Sequence, residues 1–263
     1  RKADGESLMQ ALRIAQKALV AAALSLGISS AHAAGGDLHY ESQDWSFNGI
    51  FGTFDAASAQ RGYQVYREIC AGCHSMNLMT YRYLEGIGLP EETVKAIAEQ
   101  DDKTIINDEG DEDTAPRLPS DKFVAPYANE QQARAFNGGA LPPDLSLIAK
   151  ARANGPNYLY ALLTGYTDAP DGFELLDGMN YNAAFPGHQI AMAAPLFEDA
   201  VEYSDGTAAT VDQMSRDMVT FLMFAAEPHM EDRKRTGLKV VVFLLILSVI
   251  MYFVKRKVWA DLH

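Results

Sequence analysis

The 263-residue chain contains two cysteines, and they stand together in Glu68-Ile-Cys-Ala-Gly-Cys-His-Ser75, with His74 directly behind Cys73. Four chemistries use such a pair. A disulfide framework needs more cysteines than these. Structural zinc needs four ligands; there is no second cysteine pair, and His32, His39, His188, His229 and His263 show no paired ligand spacing. A thioredoxin-like dithiol needs a βαβ setting that the sequence lacks, and it leaves His74 unexplained. Cys-x-x-Cys-His is the attachment pattern of c-type haem, in which both thiols bond to former vinyl groups and the following imidazole binds iron.

An iron held by His74 has an opposite face, and the group that fills it separates electron transfer from oxygen or peroxide chemistry. Met76 and Met79 are too close to His74 along the chain to cross a porphyrin. Met179, Met192, Met214, Met218, Met223 and His188 are far enough away. Met214, Met218 and Met223 recur at helical spacing and read as core filler. Met192 lies in Gly187-His-Gln-Ile-Ala-Met-Ala-Ala-Pro-Leu196, an irregular stretch whose small residues let backbone approach a flat ring. Met192 is therefore favoured, with His188 next, and a His/Met pair would raise the reduction potential.

Helices and loops must position these groups. Asp55 caps a helix predicted from Ala56 to Cys70, in which Tyr63, Tyr66, Ile69, Cys70 and Cys73 recur at three- and four-residue spacing; the cysteine motif then sits at a helix end. A short helix is expected over 90–99 and another over 130–136, the latter capped by Asn129 and stopped at Gly138-Gly139. Residues 101–128 read as a polar, proline-punctuated loop. Leu141-Pro-Pro-Asp-Leu-Ser-Leu-Ile-Ala-Lys-Ala-Arg152 starts a helix after its prolines, and 156–164 makes one more, ended by Gly165. Read alone, Arg152 is a helix-end cation and Tyr158 a core aromatic. Residues 166–209 form the longest irregular segment, of the kind that usually carries function. Thr210-Val-Asp-Gln213 is a capping box, and Val211, Met214, Met218, Phe221, Leu222 and Ala225 form the apolar stripe of a helix ending before Pro228. No repeat, low-complexity tract or strand series is visible. The chain is mainly helical with long loops.

Residues 1–33 carry Arg13 and Lys17, an apolar run from Ala18 to Ile28, and Ala31-His-Ala33, the order of a secretory leader cleaved after Ala33. From Leu238 to Val254 the chain is almost wholly apolar, bracketed by Arg233, Lys234, Arg235 and by Lys255, Arg256, Lys257, which predicts a single transmembrane anchor over 230–257. Both flanks are positive, so the leader decides orientation: 34–229 is the exported domain and 258–263 a cytoplasmic tail. Residues 34–230 hold 30 acidic and 11 basic side chains, a formal charge of −19 against −13 for the whole chain. Such a surface repels nucleic acid and steers basic partners in a salt-dependent way. The acidic run over 107–113 reads equally as a docking feature or as a solvated surface.

Taken together, Cys70-Ala-Gly-Cys-His74, Gly139-Ala-Leu-Pro-Pro-Asp-Leu-Ser146, Ile190-Ala-Met-Ala-Ala-Pro195, Asp205-Gly-Thr-Ala-Ala-Thr210 and Ala225-Ala-Glu-Pro228 before an anchor resemble the cytochrome c1 family, from about Trp45 to Trp259. The resemblance implies a class I cytochrome c-like haem domain plus one C-terminal transmembrane helix. One haem c is then bound covalently to Cys70 and Cys73, with His74 and Met192 as axial ligands, Arg152 paired with a haem propionate and Tyr158 near the haem. It implies the electron-carrying subunit of a respiratory or photosynthetic ubiquinol:cytochrome c reductase, part of a dimeric complex, which is not a catalyst by itself. The expected partners are cytochrome b, a Rieske iron-sulfur protein, a soluble basic cytochrome c and membrane lipid, with the haem domain on the periplasmic side of a bacterial inner membrane. Asp205-Gly-Thr-Ala replaces the family's usual Asp-Gly-Thr-Pro, and the extra disulfide of several bacterial relatives has no cysteines here. A haem enzyme or sensor with an exchangeable sixth ligand, and an anchored cytochrome c of a terminal oxidase, are the alternative readings.

Overall fold

The computed structural model describes residues 40–260. The leader expected over 1–33, residues 34–39 of the exported segment and 261–263 of the tail lie outside the described residues. Helix α1 (Ala56–Glu68) begins where the Asp55 carboxylate accepts the Ser58 N–H at 3.0 Å, and it leads into a 3-10 turn, Cys70–Gly72. A second 3-10 segment, Tyr81–Ile87, precedes α2 (Glu91–Ala98). Helix α3 (Glu130–Phe136) is capped by Asn129, whose side chain accepts the Gln132 N–H, and α4 (Gly155–Thr164) ends at Gly165. Helix α5 (Val211–Ala226) starts at Thr210, which accepts the Gln213 N–H at 3.1 Å; the Gln213 amide then donates to Asp217, so only half of the capping box forms.

Helices α1 and α5 cross face to face, and the core grows around that crossing. A Cβ on Gly62 would lie 2.0 Å from the Asp217 carbonyl oxygen, so only glycine admits so close an approach of two backbones. Beside it Arg61 donates from Nε and Nη2 to the fully buried Asp217 carboxylate at 2.9 and 3.0 Å. That two-point geometry offsets part of the desolvation that a buried charge costs. Tyr63, Tyr66, Phe123 and Phe221 pack ring against ring below, and Met214 and Met218 are buried among them as filler.

Two segments differ from the sequence reading. Residues 101–128 include an antiparallel hairpin, β1 (Asp102–Ile106) with β2 (Glu112–Pro116), in which Ile106 faces Glu112. Asn107 builds its turn: the side-chain oxygen accepts the N–H groups of Glu109 and Asp111, and Gly110 takes a φ of 89°. Arg67 of α1 and Tyr81 both donate to Asp101, which ties the base of the hairpin to the domain. A second pair, β3 (Asn180–Tyr181) with β4 (Gln189–Ile190), folds the long segment after α4 back on itself. Residues 141–152 form successive turns rather than a helix. The Leu145 N–H goes to the Ser75 carbonyl and the Ser146 N–H to the Asp144 carboxylate, and the N–H groups of Ile148 and Lys150 return to the carbonyls three residues back as separate turns.

Helix α6 (Met230–Val258) has 29 residues, about 44 Å at 1.5 Å each. An 18-residue stretch of it has a mean hydropathy of 2.6, and none of that stretch is buried, as a length and composition fit for crossing a bilayer. Its first turn is seated on the domain through buried Met230.

Candidate haem-binding site

The end of α1 delivers Cys70 half-buried, Cys73 exposed and His74 half-buried on one tight turn, in which Cys73 and His74 both donate backbone N–H groups to the Cys70 carbonyl. Both thiols are free. Burial first, and Cys73 second, push the Cys70 thiol up to about 12. A redox dithiol needs the opposite, a lowered thiol in an electropositive setting, so the geometry disfavours that chemistry. Among the described residues no group of three His, Cys, Asp or Glu side chains could hold a metal ion by itself, which removes structural zinc there.

His74 is oriented by a strap made of residues 143–146. Its Nδ1 lies 2.8 Å from the Pro143 carbonyl oxygen. A carbonyl only accepts, so Nδ1 carries the hydrogen and Nε2 of the neutral ring keeps its lone pair for iron. Burial lowers the imidazole below its ordinary value, against the opposing effects of the Pro143 carbonyl and Asp144. Asp144 holds the strap in place. One carboxylate oxygen accepts the Asn77 N–H at 2.7 Å and the Ser75 hydroxyl at 2.9 Å, and the other accepts the Ser146 N–H at 2.9 Å. The Ser146 hydroxyl then accepts the Leu78 N–H at 3.0 Å, and Leu145 donates to Ser75 at 2.8 Å. Four hydrogen bonds besides that of His74 thus join two segments far apart in the chain.

Met192 is half-buried on an irregular bend and packs, like Cys70, against the same core. The Tyr166 hydroxyl donates to its carbonyl at 3.1 Å. Tyr158 is buried, edge-to-face with Tyr40 at a ring-centre separation of 5.3 Å; burial first and Tyr40 second raise its phenol, while Arg152 opposes them. Burial first and Tyr158 second raise the Tyr166 phenol. Arg152 is exposed, donates to the Ala151 carbonyl at 3.1 Å and makes no ion pair among the described residues, which leaves guanidinium donors for an anion. His188 is held in the wall of the same loop, at a φ of 59°, stacked 5.7 Å from Tyr181 with Nδ1 3.4 Å from the Asn182 carbonyl.

The donor set fits a c-type haem: two unpaired thiols, an imidazole with Nε2 available, a thioether on a tethered loop and a free guanidinium. Pro143, Asp144 and Tyr166 had no role in the sequence reading. The Asp-x-Ser spacing of Asp144 and Ser146 is an Asx-turn signal, but its long-range partners are invisible in it.

The profile of the Cytochrome C1 family matches residues 45–262. Cytochrome c1 of Rhodospirillum rubrum is 44% identical over 266 residues, covering 94% of this chain and 98% of that protein. The mitochondrial cytochrome c1 heme protein of Saccharomyces cerevisiae is 49% identical over 242 residues, covering 90% and 78%. A protein of Bradyrhizobium diazoefficiens named cytochrome b/c1 is 46% identical over 271 residues, covering 94% of this chain and 39% of its own length.

Proposed function

The chain belongs to the cytochrome c1 family, and from that premise we propose that it is the membrane-anchored electron-transfer subunit of a ubiquinol:cytochrome c reductase. Haem c, when bound, would supply a one-electron couple, and the subunit would stand between a Rieske iron-sulfur protein as donor and a soluble basic cytochrome c as acceptor. Cys70 and Cys73 would hold the haem through thioethers, His74 and Met192 would ligate its iron, Arg152 would pair with a propionate and Tyr158 would line the haem. The observation that supports the reading is the strap that turns His74: the Pro143 carbonyl favours hydrogen on Nδ1 and leaves Nε2 for a metal, as an iron ligand needs.

Cytochrome b is the partner within the membrane, a reading supported by the name of the Bradyrhizobium relative. Residues 1–33 act as a cleaved leader, 34–229 as a periplasmic domain, 230–257 as the single anchor of a bacterial inner-membrane protein and 258–263 as its cytoplasmic tail, within a dimeric complex. The acidic domain serves as a docking field. Asp108, Glu109, Asp111, Glu112 and Asp113 are exposed around the β1–β2 turn, where like charges stand clear of the fold and can face a basic carrier.

Stopped-flow mixing of the reduced full-length protein with a basic soluble cytochrome c tests this. The rate is expected to fall as salt rises, and replacing those five carboxylates by amides to flatten the slope. A slope unchanged by the substitutions removes the hairpin as the docking element, and a rate indifferent to salt removes the electrostatic field.

A further inference from the structure

We infer that the Asn48–Gly52 turn is a second membrane contact, which rests Ile50 and Phe51 in the lipid headgroup layer beside the anchor. The inference rests on the reading of α6 as that anchor. The stretch Trp45-Ser-Phe-Asn-Gly-Ile-Phe-Gly-Thr-Phe54 carries no charged residue, within a domain of formal charge −19. Its Trp45 and Phe47 are 5% and 4% exposed and stack on each other at 5.5 Å, whereas Ile50 and Phe51 at the tip are 72% and 74% exposed. The tip is closed tightly. Thr53 donates to the Ser46 carbonyl at 3.1 Å, Gly49 has a φ of 71°, and a Cβ on Gly52 would lie 2.0 Å from the Asn48 carbonyl oxygen.

What places this turn beside the anchor is its attachment. The Lys234 ammonium donates to the Phe47 carbonyl at 2.6 Å and to the Gly52 carbonyl at 3.0 Å, bracketing the turn on both sides. The Phe54 N–H donates to the Glu231 carboxylate at 2.9 Å. The turn is therefore pinned to the first two turns of α6, and Lys234 precedes Leu238, where the apolar run begins, by one helical turn, about 6 Å. The interfacial layer outside the hydrocarbon core is about 5–8 Å thick on each side, so a turn clamped at that height lies within it. Apolar side chains without charge, an aromatic among them, are what this layer accommodates. The occupant is a lipid surface, and the contact would fix the tilt of the haem domain above the bilayer.

Nitroxide depth measurements on the haem-loaded full chain test this in vesicles of phosphatidylcholine and phosphatidylglycerol. Labels are placed at Phe51→Cys, at Glu109→Cys on the hairpin and at Leu245→Cys in the apolar run. These side chains are exposed, so labelling leaves the core intact. The ratio of oxygen to water-soluble nickel accessibility at position 51 is expected to exceed that at 109 severalfold. A value at 51 equal to that at 109, with 245 apolar, overturns the inference. Shielding of 51 from both reagents also overturns it, because protein then covers the tip. An aqueous value at 245 shows instead that the anchor reading has failed. Nitroxide uptake by the parent chain would show separately that Cys70 and Cys73 are not in thioether linkage.

Discussion

The Nδ1 of His74 lies 2.8 Å from the carbonyl oxygen of Pro143, 69 residues further along the chain. The direction of the Nε2 edge of the imidazole is thus set by a distant segment, and that segment is held by the neighbouring carboxylate of Asp144.

Asp144→Asn is the direct probe of the strap. Burial would raise this carboxyl, but the hydrogen bonds from Asn77, Ser146 and Ser75 outweigh it and hold it below its ordinary value. Its stabilisation is therefore complete above the unfolded value near pH 3.9 and disappears as pH falls through the folded one. The substitution should cost about 1–3 kcal/mol at neutral pH, from weakened bonds to buried donors. It should also flatten the loss of stability below about pH 4. Denaturant unfolding of the haem-loaded protein at neutral and acid pH measures both; an unchanged acid limb would show that Asp144 does not hold the strap.

Gly62→Ala probes the α1–α5 crossing. The new methyl group would meet the Asp217 carbonyl at 2.0 Å, backbone against backbone, where no side-chain rotamer can give way. Overpacking commonly costs about 1–3 kcal/mol, and this site belongs at or above the top of that range. Gly237→Ala is the control, since its Cβ meets nothing within 4 Å, and it should be neutral or stabilising by up to about 1 kcal/mol. Equal unfolding midpoints for the two variants would refute the close crossing.

Features written in local spacing were legible in the sequence. Asp55, Asn129 and Thr210 cap helices because a cap acts on an N–H only a few residues away. Met214 and Met218 read as core because helical periodicity exposes them. The β1–β2 hairpin was hidden because carboxylates fill its turn and second strand, so no apolar alternation marks β2; its turn is set by a single asparagine. The helix expected over 141–152 is replaced by turns: Leu145 donates to the distant Ser75 carbonyl, and Ile148 and Lys150 return to the carbonyls three residues back, a long-range tie that no local pattern records. The CxxCH motif points to haem attachment by local spacing, whereas the contacts of Pro143, Asp144 and Tyr166 become visible only in the fold.

Tyr166→Phe tests how the Met192 loop is held. Its hydroxyl donates to the Met192 carbonyl at 3.1 Å, 26 residues away, and losing that bond should cost about 0.5–1.5 kcal/mol. The haem should stay attached while the loop opens more often, so carbon monoxide should bind the reduced variant up to about tenfold faster than the parent. Identical binding rates would show that the tyrosine does not restrain the loop.

The central claim is that His74 and Met192 together ligate one iron, and it is tested most directly by the optical spectrum of the oxidised protein with and without Met192→Leu. The account predicts a low-spin, six-coordinate spectrum with the long-wavelength methionine-to-iron charge-transfer band in the parent, and loss of that band with the haem still covalently attached in the variant. A band that survives Met192→Leu, or that is absent from the parent, would contradict it.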